Sequence, residues 1–388
     1  MALLSHFFPF PSQVGAQIRT SLILKALSSV TDVVLIGQEC GETDLSEAKK
    51  YCKNFFVVKS LSRSIFSNIA RRLKEPFVAF PASGRHLNIK QFKKILYSLP
   101  KDYDDAVIWL EALWLMKAVN KNDERKIVLD QHNIDSEVLK RRYKNGAFPI
   151  NLLYYNDFLK QKWYEKENIK RASKIFSVSP DEKEKHIELF GDLDIDVLPN
   201  GVEIEKYPLL FPNYKEKTIT MTGDFGYIPN VEGLNYFLRE IFKGVKKEIK
   251  DAKVLVAGKN SKSLKINNED VVLYGEFKDP AEIFKRTTFS IAPILTGGGS
   301  RYKIIESLAL GIPVVSTPEG AEGLNIKESE GLFVAKDPKE FADKMIKLFL
   351  NEEMAQKAGA KGRKAIEENY SFDAVEKSLI NSISDILN

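Results

Sequence analysis

Short apolar runs alternate with helix-like stretches along the whole chain. The runs are rich in Val, Ile and Leu and are bounded by turn residues, which is typical of strands buried on both faces of a parallel sheet. The apolar N-terminal segment predicts a first buried strand. Further strands are predicted at Thr31–Ile36, Phe55–Val58, Ala106–Trp109, Ile127–Gln131, Lys174–Val178, Ile195–Leu198, Thr218–Thr222, Lys253–Ala257, Val271–Tyr274, Phe289–Ala292 and Pro313–Ser316. Helices between most of the strands make this an α/β protein.

The series of strands restarts near residue 200, after the strong turn signal Pro199-Asn200-Gly201. Two such series predict two doubly wound, Rossmann-like domains that face each other across a cleft. We place the first domain at residues 1–198 and the second at 199–370. Amphipathic patterns predict helices at Pro338–Leu350, Glu352–Glu368 and Ser371–Leu387. We expect the last segment, residues 371–388, to pack back on the first domain.

The segment from residue 291 to residue 324 carries the clearest chemistry. A buried strand is followed by a glycine-rich loop, and a helix then starts near Arg301. Such a loop binds anions, because its backbone N–H groups and the helix dipole both favour negative charge. Arg301 and Lys303 add positive charge at a helix end where it is unfavourable without an anion, and Glu306 can accept hydrogen bonds from sugar hydroxyls. The alternative is an ordinary loop with solvated basic side chains. The loop consists of Thr296, Gly297, Gly298, Gly299 and Ser300.

These residues carry a resemblance to a known family. The block G-G-G-S-R-Y-K-I-I-E-S-L-A-L-G-I-P-V-V-S-T, followed by E-G-A-E-G-L, resembles the donor-binding signature of glycosyltransferase family 4, which comprises retaining enzymes of the GT-B architecture. Further matches are Pro199-Asn200-Gly201-Val202, Thr222-Gly223-Asp224 and Gly275-Glu276-Phe277. The resemblance covers nearly the whole chain and is strongest between Pro199 and Leu324.

The resemblance implies roles for individual residues of the second domain. Glu306 matches the glutamate that holds the donor ribose, and the loop from Thr296 to Gly299, with Ser300 beside it, matches the segment that faces the donor sugar and the distal phosphate. Phe277 matches the segment beside the nucleobase. Arg301 and Lys303 are expected to stabilise the leaving diphosphate.

Two departures from the family pattern concern the same site. Gly298 stands where the family has the first glutamate of its pair, a residue that often contacts the donor sugar. The stretch from Gly223 to Asn230 also lacks the arginine and lysine that relatives use for the diphosphate. Arg301 and Lys303 are the obvious substitutes.

Two segments of the first domain also match the family. Gly15, Ala16 and Arg19 lie in a loop and helix start similar to the family's first loop, which sits near phosphate and acceptor; the alternative is a proline turn before a helix. His132 follows a buried strand, where relatives often carry His-Asn. It is a candidate catalytic residue that contacts the donor sugar or positions the acceptor, and the alternative is a structural histidine.

The overall composition narrows the functional classes. The net charge is +5, and ten basic residues face one acid between Lys59 and Lys101. A basic helix within that stretch, Arg63–Lys74, either contacts anionic lipid or packs on the core with solvated edges. No apolar run is long enough to span a bilayer, and Cys40 and Cys52 give no disulfide framework. We expect a cytoplasmic protein, with peripheral contact to the inner face of the cell membrane as a further hypothesis.

The resemblance implies a retaining, hexosyltransferase-type enzyme that uses a UDP- or GDP-linked sugar and a glycan or lipid-linked acceptor, as in polysaccharide biosynthesis. We expect no metal and no cofactor, and we attribute the D-x-D patterns at Asp102/Asp104 and Asp192/Asp194/Asp196 to solvated turns. The alternatives are another GT-B enzyme, such as a nucleotide-sugar epimerase or a phosphorylase, and a non-catalytic nucleotide-sugar-binding protein. A dehydrogenase and nucleic-acid binding are disfavoured, because no G-x-G-x-x-G follows the first strand and no nucleic-acid module is present.

Overall fold

The computed structural model describes residues 1–41, 43–61, 84, 86–145, 150–296 and 301–387. The chain forms two compact units, and the division falls between Pro199 and Asn200. The chain from Val375 onward belongs to the first unit rather than to the second.

The first unit is built on one parallel sheet. Its seven strands are β1 Ala2–Ser5, β2 Val34–Gln38, β3 Asn54–Val58, β4 Ile108–Leu110, β5 Ile127–Gln131, β6 Lys174–Ser177 and β7 Ile195–Val197. They lie in the order β3-β2-β1-β4-β5-β6-β7, so the direction of winding reverses between β1 and β4. Loops at the carboxyl ends of the two strands diverge at such a point and leave a crevice where ligands bind.

Helices cover the strands of the first unit. They are α1 Gly15–Ser28, α2 Leu45–Ala48, α3 Ile89–Leu96, α4 Asp135–Asn145, α5 Ile150–Asn168 and α6 Pro180–Phe190. Local sequence sets their starts: Ser179 caps α6 by accepting a hydrogen bond from the Glu182 amide at 3.2 Å, and Pro180 occupies the first turn, where no donor is needed. The aliphatic side chains of β1, β2, β4 and β5 are fully buried in the core.

The second unit repeats the plan on a smaller scale. Its six parallel strands lie in the order β10-β9-β8-β11-β12-β13, so the winding reverses between β8 and β11. The strands are β8 Thr218–Thr222, β9 Lys253–Ala257, β10 Val271–Gly275, β11 Phe289–Ala292, β12 Val314–Ser316 and β13 Leu332–Val334. The helices are α7 Ile228–Tyr236, α8 Phe242–Glu248, α9 Pro280–Phe284, α10 Tyr302–Ala309, α11 Pro318–Ala321, α12 Pro338–Leu350 and α13 Glu352–Asn369. The last helix of the chain is α14, Phe372–Leu387.

The predicted fold class is confirmed, and most strand bounds agree within two or three residues. The strands predicted at Ile127–Gln131, Thr218–Thr222, Lys253–Ala257 and Phe289–Ala292 have those bounds in the structure. The sequence prediction missed β13, which has only three residues and follows Gly331, a glycine with a positive φ of 87°. So short a run carries no periodicity of its own, and its pairing with β12 defines it.

Most of the basic segment singled out in the sequence lies outside the described residues, since 62–83 and 85 are not described. Two acids of the second D-x-D pattern, Asp194 and Asp196, form ion pairs with Lys174. Lys174 Nζ lies 3.0 Å from Asp194 Oδ1 and 2.9 Å from Asp196 Oδ2. No helix among the described residues combines the length and the apolar character needed to cross a membrane.

Candidate functional site

Four titratable side chains meet at the carboxyl ends of β1, β4 and β5 in the first unit. His6 follows β1, Glu111 follows β4, and Asp130 and His132 lie at the end of β5. His132 Nε2 is 3.1 Å from Asp130 Oδ2 and 3.6 Å from Glu111 Oε2, and the rings of His6 and His132 are 6.0 Å apart. The parallel topology brings these residues together, because β1 and β4 flank the point where the winding reverses.

Arg19 of α1 fixes the position of Asp130 in this cluster. Its Nε and Nη2 atoms donate to the two oxygens of Asp130 at 2.7 and 2.6 Å, and Nη1 donates to the Pro199 carbonyl at 3.1 Å. The arginine is 2% exposed, so this is a buried, bidentate ion pair. The sequence predicts that Arg19 belongs to an acceptor or phosphate loop, and in the structure its guanidinium is paired with Asp130.

Glu111 is fixed in the same way by neutral donors. Its two oxygens accept hydrogen bonds from Trp109 Nε1 at 2.7 Å and from Thr20 Oγ1 at 2.9 Å. Glu111 and Asp130 are both fully buried. Because every carboxylate oxygen has a donor of defined position, neither side chain is free to rotate away from His132.

The charges in this cluster decide the protonation of its histidines. Burial alone would lower the pKa of His132, but the Asp130 charge, together with hydrogen bonding of the His132 N–H to the Asp130 and Glu111 carboxylates, outweighs burial and raises the pKa to about 9. Burial would raise the pKa of Asp130, but Arg19 and His132 hold it well below its usual range. The pKa of His6 is lowered by burial and by the charge of His132. At neutral pH, His132 is therefore a cation and His6 is neutral.

Among the described residues, Glu111, Asp130 and His132 form a group whose ligand atoms lie within 4.8 Å of one another, as a metal site requires. The donor set does not fit a cation. Both oxygens of Asp130 take the Arg19 guanidinium, and both oxygens of Glu111 take neutral donors. A metal ion would have to displace these partners and lie beside a buried positive charge.

A second set of charged side chains lies at the start of α10 in the second unit. Arg301 caps this helix in a left-handed conformation, with φ at 55°, and donates to the Glu322 carbonyl at 3.1 Å and to Glu322 Oε2 at 3.3 Å. Lys303 Nζ donates to Asn230 Oδ1 at 2.6 Å. One turn later, Glu306 Oε1 accepts a hydrogen bond from Tyr207 at 2.9 Å. Three of the residues predicted for the donor site, Arg301, Lys303 and Glu306, therefore lie along the start and first turns of one helix.

Among the described residues, the hydrogen-bond partners of Lys303 and Glu306 are neutral side chains. Neither partner offsets the effect of burial on the pKa of Lys303 or of Glu306. Burial, with the charge of Arg301, lowers the pKa of Lys303 to about 7. Burial raises the pKa of Glu306 to about 7, although the Tyr207 hydroxyl favours the carboxylate. Each group carries its charge only part of the time near neutral pH, so a ligand that supplies the missing charge or hydrogen bonds would stabilise the ionised form.

Close backbone packing shapes the segment after β8 that leads into α7, the helix that carries Asn230. A side-chain carbon on Gly258, where φ is +126°, would lie 2.2 Å from the Gly223 carbonyl oxygen. A carbon on Gly233 would lie 2.5 Å from the Pro293 carbonyl oxygen, at the end of β11. Glycine is required at both positions, and it lets α7 and its first turn approach the strand ends beside Lys303.

The structure positions the remaining predicted residues as follows. Thr296 Oγ1 donates to Glu232 Oε2 at 3.1 Å, and Phe277 is half-buried after β10. Gly15 and Ala16 form the partly exposed first turn of α1. Four predicted donor-loop residues lie outside the described residues: Gly297, Gly298, Gly299 and Ser300.

Five site residues escaped the sequence analysis. Two carried a usable signal: Glu111 and Asp130 are acids at the ends of otherwise apolar strand sequences. His6, Asn230 and Tyr207 carried none, because only the folded chain brings them to their partners. Tyr207, for example, donates its hydroxyl hydrogen bond to Glu306, which lies 99 positions later in the sequence.

Comparisons with known proteins agree with this architecture. Residues 216–351 match the family model of the glycosyl transferases group 1. An uncharacterized 44.6 kDa protein in the cps region of Klebsiella pneumoniae is 23% identical over 392 residues, covering 96% of each chain. The capsular polysaccharide biosynthesis glycosyltransferase CapM of Staphylococcus aureus is 27% identical over 231 residues, which span 54% of this chain and 60% of CapM.

A solved structure extends the likeness to both units. Anabaena Alr3699/HepE in complex with UDP and glucose has a TM-score of 0.65 at 10% identity, over 99% of each chain. At this identity the likeness concerns the fold, and that fold is GT-B. Residues 216–351 are therefore similar to the group 1 glycosyl transferases, within a chain of the GT-B fold.

Proposed function

We propose that this protein transfers a sugar, with retention and without a metal ion, from a nucleotide sugar to a hydroxyl group of a glycan or lipid-linked acceptor. The second unit binds the donor and the first unit serves the acceptor. The observation that carries the proposal is the pair Lys303 and Glu306, two half-buried ionisable groups on one helix whose hydrogen-bond partners among the described residues, Asn230 and Tyr207, are neutral.

A nucleoside diphosphate sugar supplies a negative charge for Lys303 and additional hydrogen-bond donors for Glu306. Its diphosphate is an anion for Lys303 and Arg301 at the start of α10, where the helix dipole also favours negative charge. Its ribose hydroxyls are donors for the second oxygen of Glu306. When the bond from the sugar to the phosphate breaks, negative charge develops on the departing diphosphate. Fixed basic side chains stabilise that charge in place of a metal ion.

His132 is the proposed catalytic residue of the first unit. As an imidazolium held by Asp130 and Glu111, it offers a positive charge and an N–H donor in a fixed orientation. We assign it to the sugar hydroxyls or to positioning the acceptor hydroxyl. Arg19 is then a positioning residue, because it acts on His132 through Asp130.

The relatives suggest the class of donor and acceptor. CapM is a glycosyltransferase of capsular polysaccharide biosynthesis, and the HepE structure contains UDP and glucose. We therefore propose a UDP- or GDP-linked hexose as the donor, no other cofactor, and a growing polysaccharide or its lipid-linked precursor as the acceptor.

A donor panel tests this function. Thermal shift and donor hydrolysis are measured with UDP-, GDP-, ADP-, TDP- and CMP-sugars, with and without EDTA, on the natural protein and on Lys303→Met. We expect one nucleotide class to stabilise the natural protein in EDTA and to lose its effect in Lys303→Met. The anomeric configuration of the product, observed by NMR, tests retention. Activity that EDTA abolishes and Mg²⁺ restores would contradict the metal-free mechanism, and binding without transfer to any acceptor would favour a non-catalytic protein.

A further inference from the structure

Helix α5, in the first unit, has its polar and apolar faces reversed. Gln161 and Glu165 are fully buried. On the opposite side Leu152, Leu159 and Trp163 are 54%, 47% and 57% exposed. A helix on the surface of a folded protein normally buries its leucines and tryptophans and exposes its glutamates.

The exposed apolar residues form a continuous face. Leu152, Leu159 and Trp163 are separated by seven and four residues, and at 3.6 residues per turn this spacing stacks them along one line of the helix. Tyr155 is exposed beside that line and packs against Tyr143 of α4, with ring centroids 4.9 Å apart. The result is an apolar stripe about three turns long, which exceeds the scattered single exposures of ordinary surfaces.

The buried contacts prevent the helix from turning this face inward. Gln161 accepts a hydrogen bond from Trp114 Nε1 at 3.3 Å and donates to Glu165 Oε1 at 3.1 Å. Glu165 Oε1 also accepts the Ser136 amide at 3.0 Å, at the start of α4. Rotation of α5 would break this network and leave the Trp114 Nε1 and Ser136 amide donors facing apolar side chains, so the orientation of the stripe is fixed.

Basic side chains border the stripe. Lys162 and Lys166 are exposed and lie one turn apart on α5, and Lys144 is exposed near the end of α4. The sequence from Lys140 to Lys166 contains seven basic residues and two acids, one of which is the buried Glu165. The stripe therefore combines leucine and tryptophan side chains with a positive rim.

We infer that this face of α5 lies in the surface of a lipid bilayer that contains anionic lipids. Leucine and tryptophan side chains enter the headgroup boundary, and lysines at the rim meet the lipid phosphates. This inference goes beyond the proposed function, since it concerns where the protein works and rests on none of the donor-site residues.

A second copy of the chain is a poorer occupant of this face. Two stripes packed against each other would place the lysine rims of both copies together, and like charges in contact oppose association. An anionic lipid surface matches both the apolar centre and the basic rim. Because a single amphipathic face and a few lysines give modest affinity, the association is reversible and sensitive to salt.

Vesicle sedimentation tests the inference on the full chain. The variants are Leu159→Ser combined with Trp163→Ser, and Lys162→Gln combined with Lys166→Gln. The matched control is Leu350→Ser, which changes a leucine that is 73% exposed in the second unit. We expect binding to phosphatidylglycerol-containing vesicles but not to phosphatidylcholine vesicles. The apolar variant should bind at least about tenfold more weakly, the lysine variant should bind more weakly, and the control should bind like the natural protein.

Trp163 reports its own position. Of the three tryptophans, Trp109 is fully buried and Trp114 is half-buried. Lipids brominated on the acyl chain should therefore quench the natural protein and not the Trp163→Phe variant. The inference is overturned if the natural protein binds no vesicle of either composition. It is overturned as well if the Leu159→Ser, Trp163→Ser variant binds vesicles as tightly as the natural protein. It is also overturned if ultracentrifugation shows a dimer that the apolar variant dissociates while no vesicle binds. A failure of the donor panel would leave these results unaffected.

Discussion

The charged clusters of the two units differ in how their charges are balanced. At the strand ends of the first unit, Arg19, Asp130 and His132 form a closed set of opposite charges at distances of 2.6 to 3.1 Å. At the start of α10 in the second unit, the hydrogen-bond partners of Lys303 and Glu306 within the described part of the chain are the neutral side chains of Asn230 and Tyr207.

The difference separates two uses of buried charge. In the first unit, each charge holds another in place, so the cluster is complete before any substrate arrives and His132 is oriented in advance. In the second unit, Lys303 and Glu306 are half-buried and, among the described residues, hydrogen-bonded to neutral groups, and the cost of their partial desolvation is recovered when a ligand brings an anion and hydroxyl donors. The first cluster should therefore govern stability and orientation, and the second should govern affinity.

The largest effect is expected from Asp130→Asn. The substitution keeps the size of the side chain but removes the negative charge that is paired with the buried Arg19 guanidinium, which should lower the free energy of unfolding by roughly 3–5 kcal/mol. Urea denaturation followed by circular dichroism measures it. The control is Lys303→Met, which removes a charge hydrogen-bonded to the neutral Asn230 side chain and should change stability by less than about 1 kcal/mol. Equal losses in the two variants would remove the distinction between the clusters.

Glu306→Gln should weaken donor binding with little change in stability. A hydrogen bond to a charged group contributes about 1.5–3 kcal/mol, so the dissociation constant of the preferred nucleotide sugar should rise roughly 10- to 150-fold. Isothermal titration calorimetry provides the measurement. Tyr207→Phe, which removes only the hydroxyl that supports Glu306, should have a smaller effect. Unchanged affinity in Glu306→Gln would remove Glu306 from the donor site.

Donor affinity should pass through a maximum near pH 7. The pKa of Lys303 is lowered to about 7, so in the free protein it loses its charge as the pH rises through 7, and affinity for the diphosphate falls. The pKa of Glu306 is raised to about 7, so it gains a proton as the pH falls through 7, and its grip on the ribose weakens. A nucleotide sugar is the right probe, because its diester phosphates do not titrate there. Glu306→Gln should flatten the acid side and Lys303→Met the alkaline side; a profile unchanged by either would contradict the assignment.

The smallest effect is expected from Glu111→Gln. The raised pKa of His132, about 9, depends on Asp130 first and on Glu111 second. Removing the Glu111 charge should lower that pKa by less than about one unit, and Asp130→Asn should lower it further. Histidine NMR titration is practical, since the chain has four histidines. A larger shift in Glu111→Gln than in Asp130→Asn would reverse the order of the two carboxylates.

The sequence predicts more members of the cluster at the start of α10 than of the cluster at the strand ends of the first unit. Arg301, Lys303 and Glu306 lie within six residues of one another, so a helix periodicity and a helix start are enough to group them. The first cluster draws on β1, α1, β4 and β5, whose members are up to 126 residues apart, from His6 to His132. Only the order of strands in the sheet brings them together.

Arg19 shows why the direction of a side chain is harder to predict than its element. The sequence placed this residue correctly near the start of a helix that follows the first strand. Whether its guanidinium would face solvent and phosphate or turn beneath the sheet edge depends on Asp130, which is 111 positions away. The reversed faces of α5 pose the same problem, since the sequence spacing shows which residues share a face of that helix but not which face is buried.

The placement of α14 has a consequence for synthesis on the ribosome. This helix buries Val375, Leu379 and Ile383, and Lys126 Nζ donates to the Ile386 carbonyl, so it completes the first unit. The 175 residues between Pro199 and Val375 must be translated before that helix exists. At about 5–20 residues per second, the first unit waits roughly 10–35 s with one apolar surface uncovered. The second unit emerges entirely within that interval. The unit that begins translation first is therefore the last to finish folding, and chaperones should meet the nascent chain at the surface that α14 later covers.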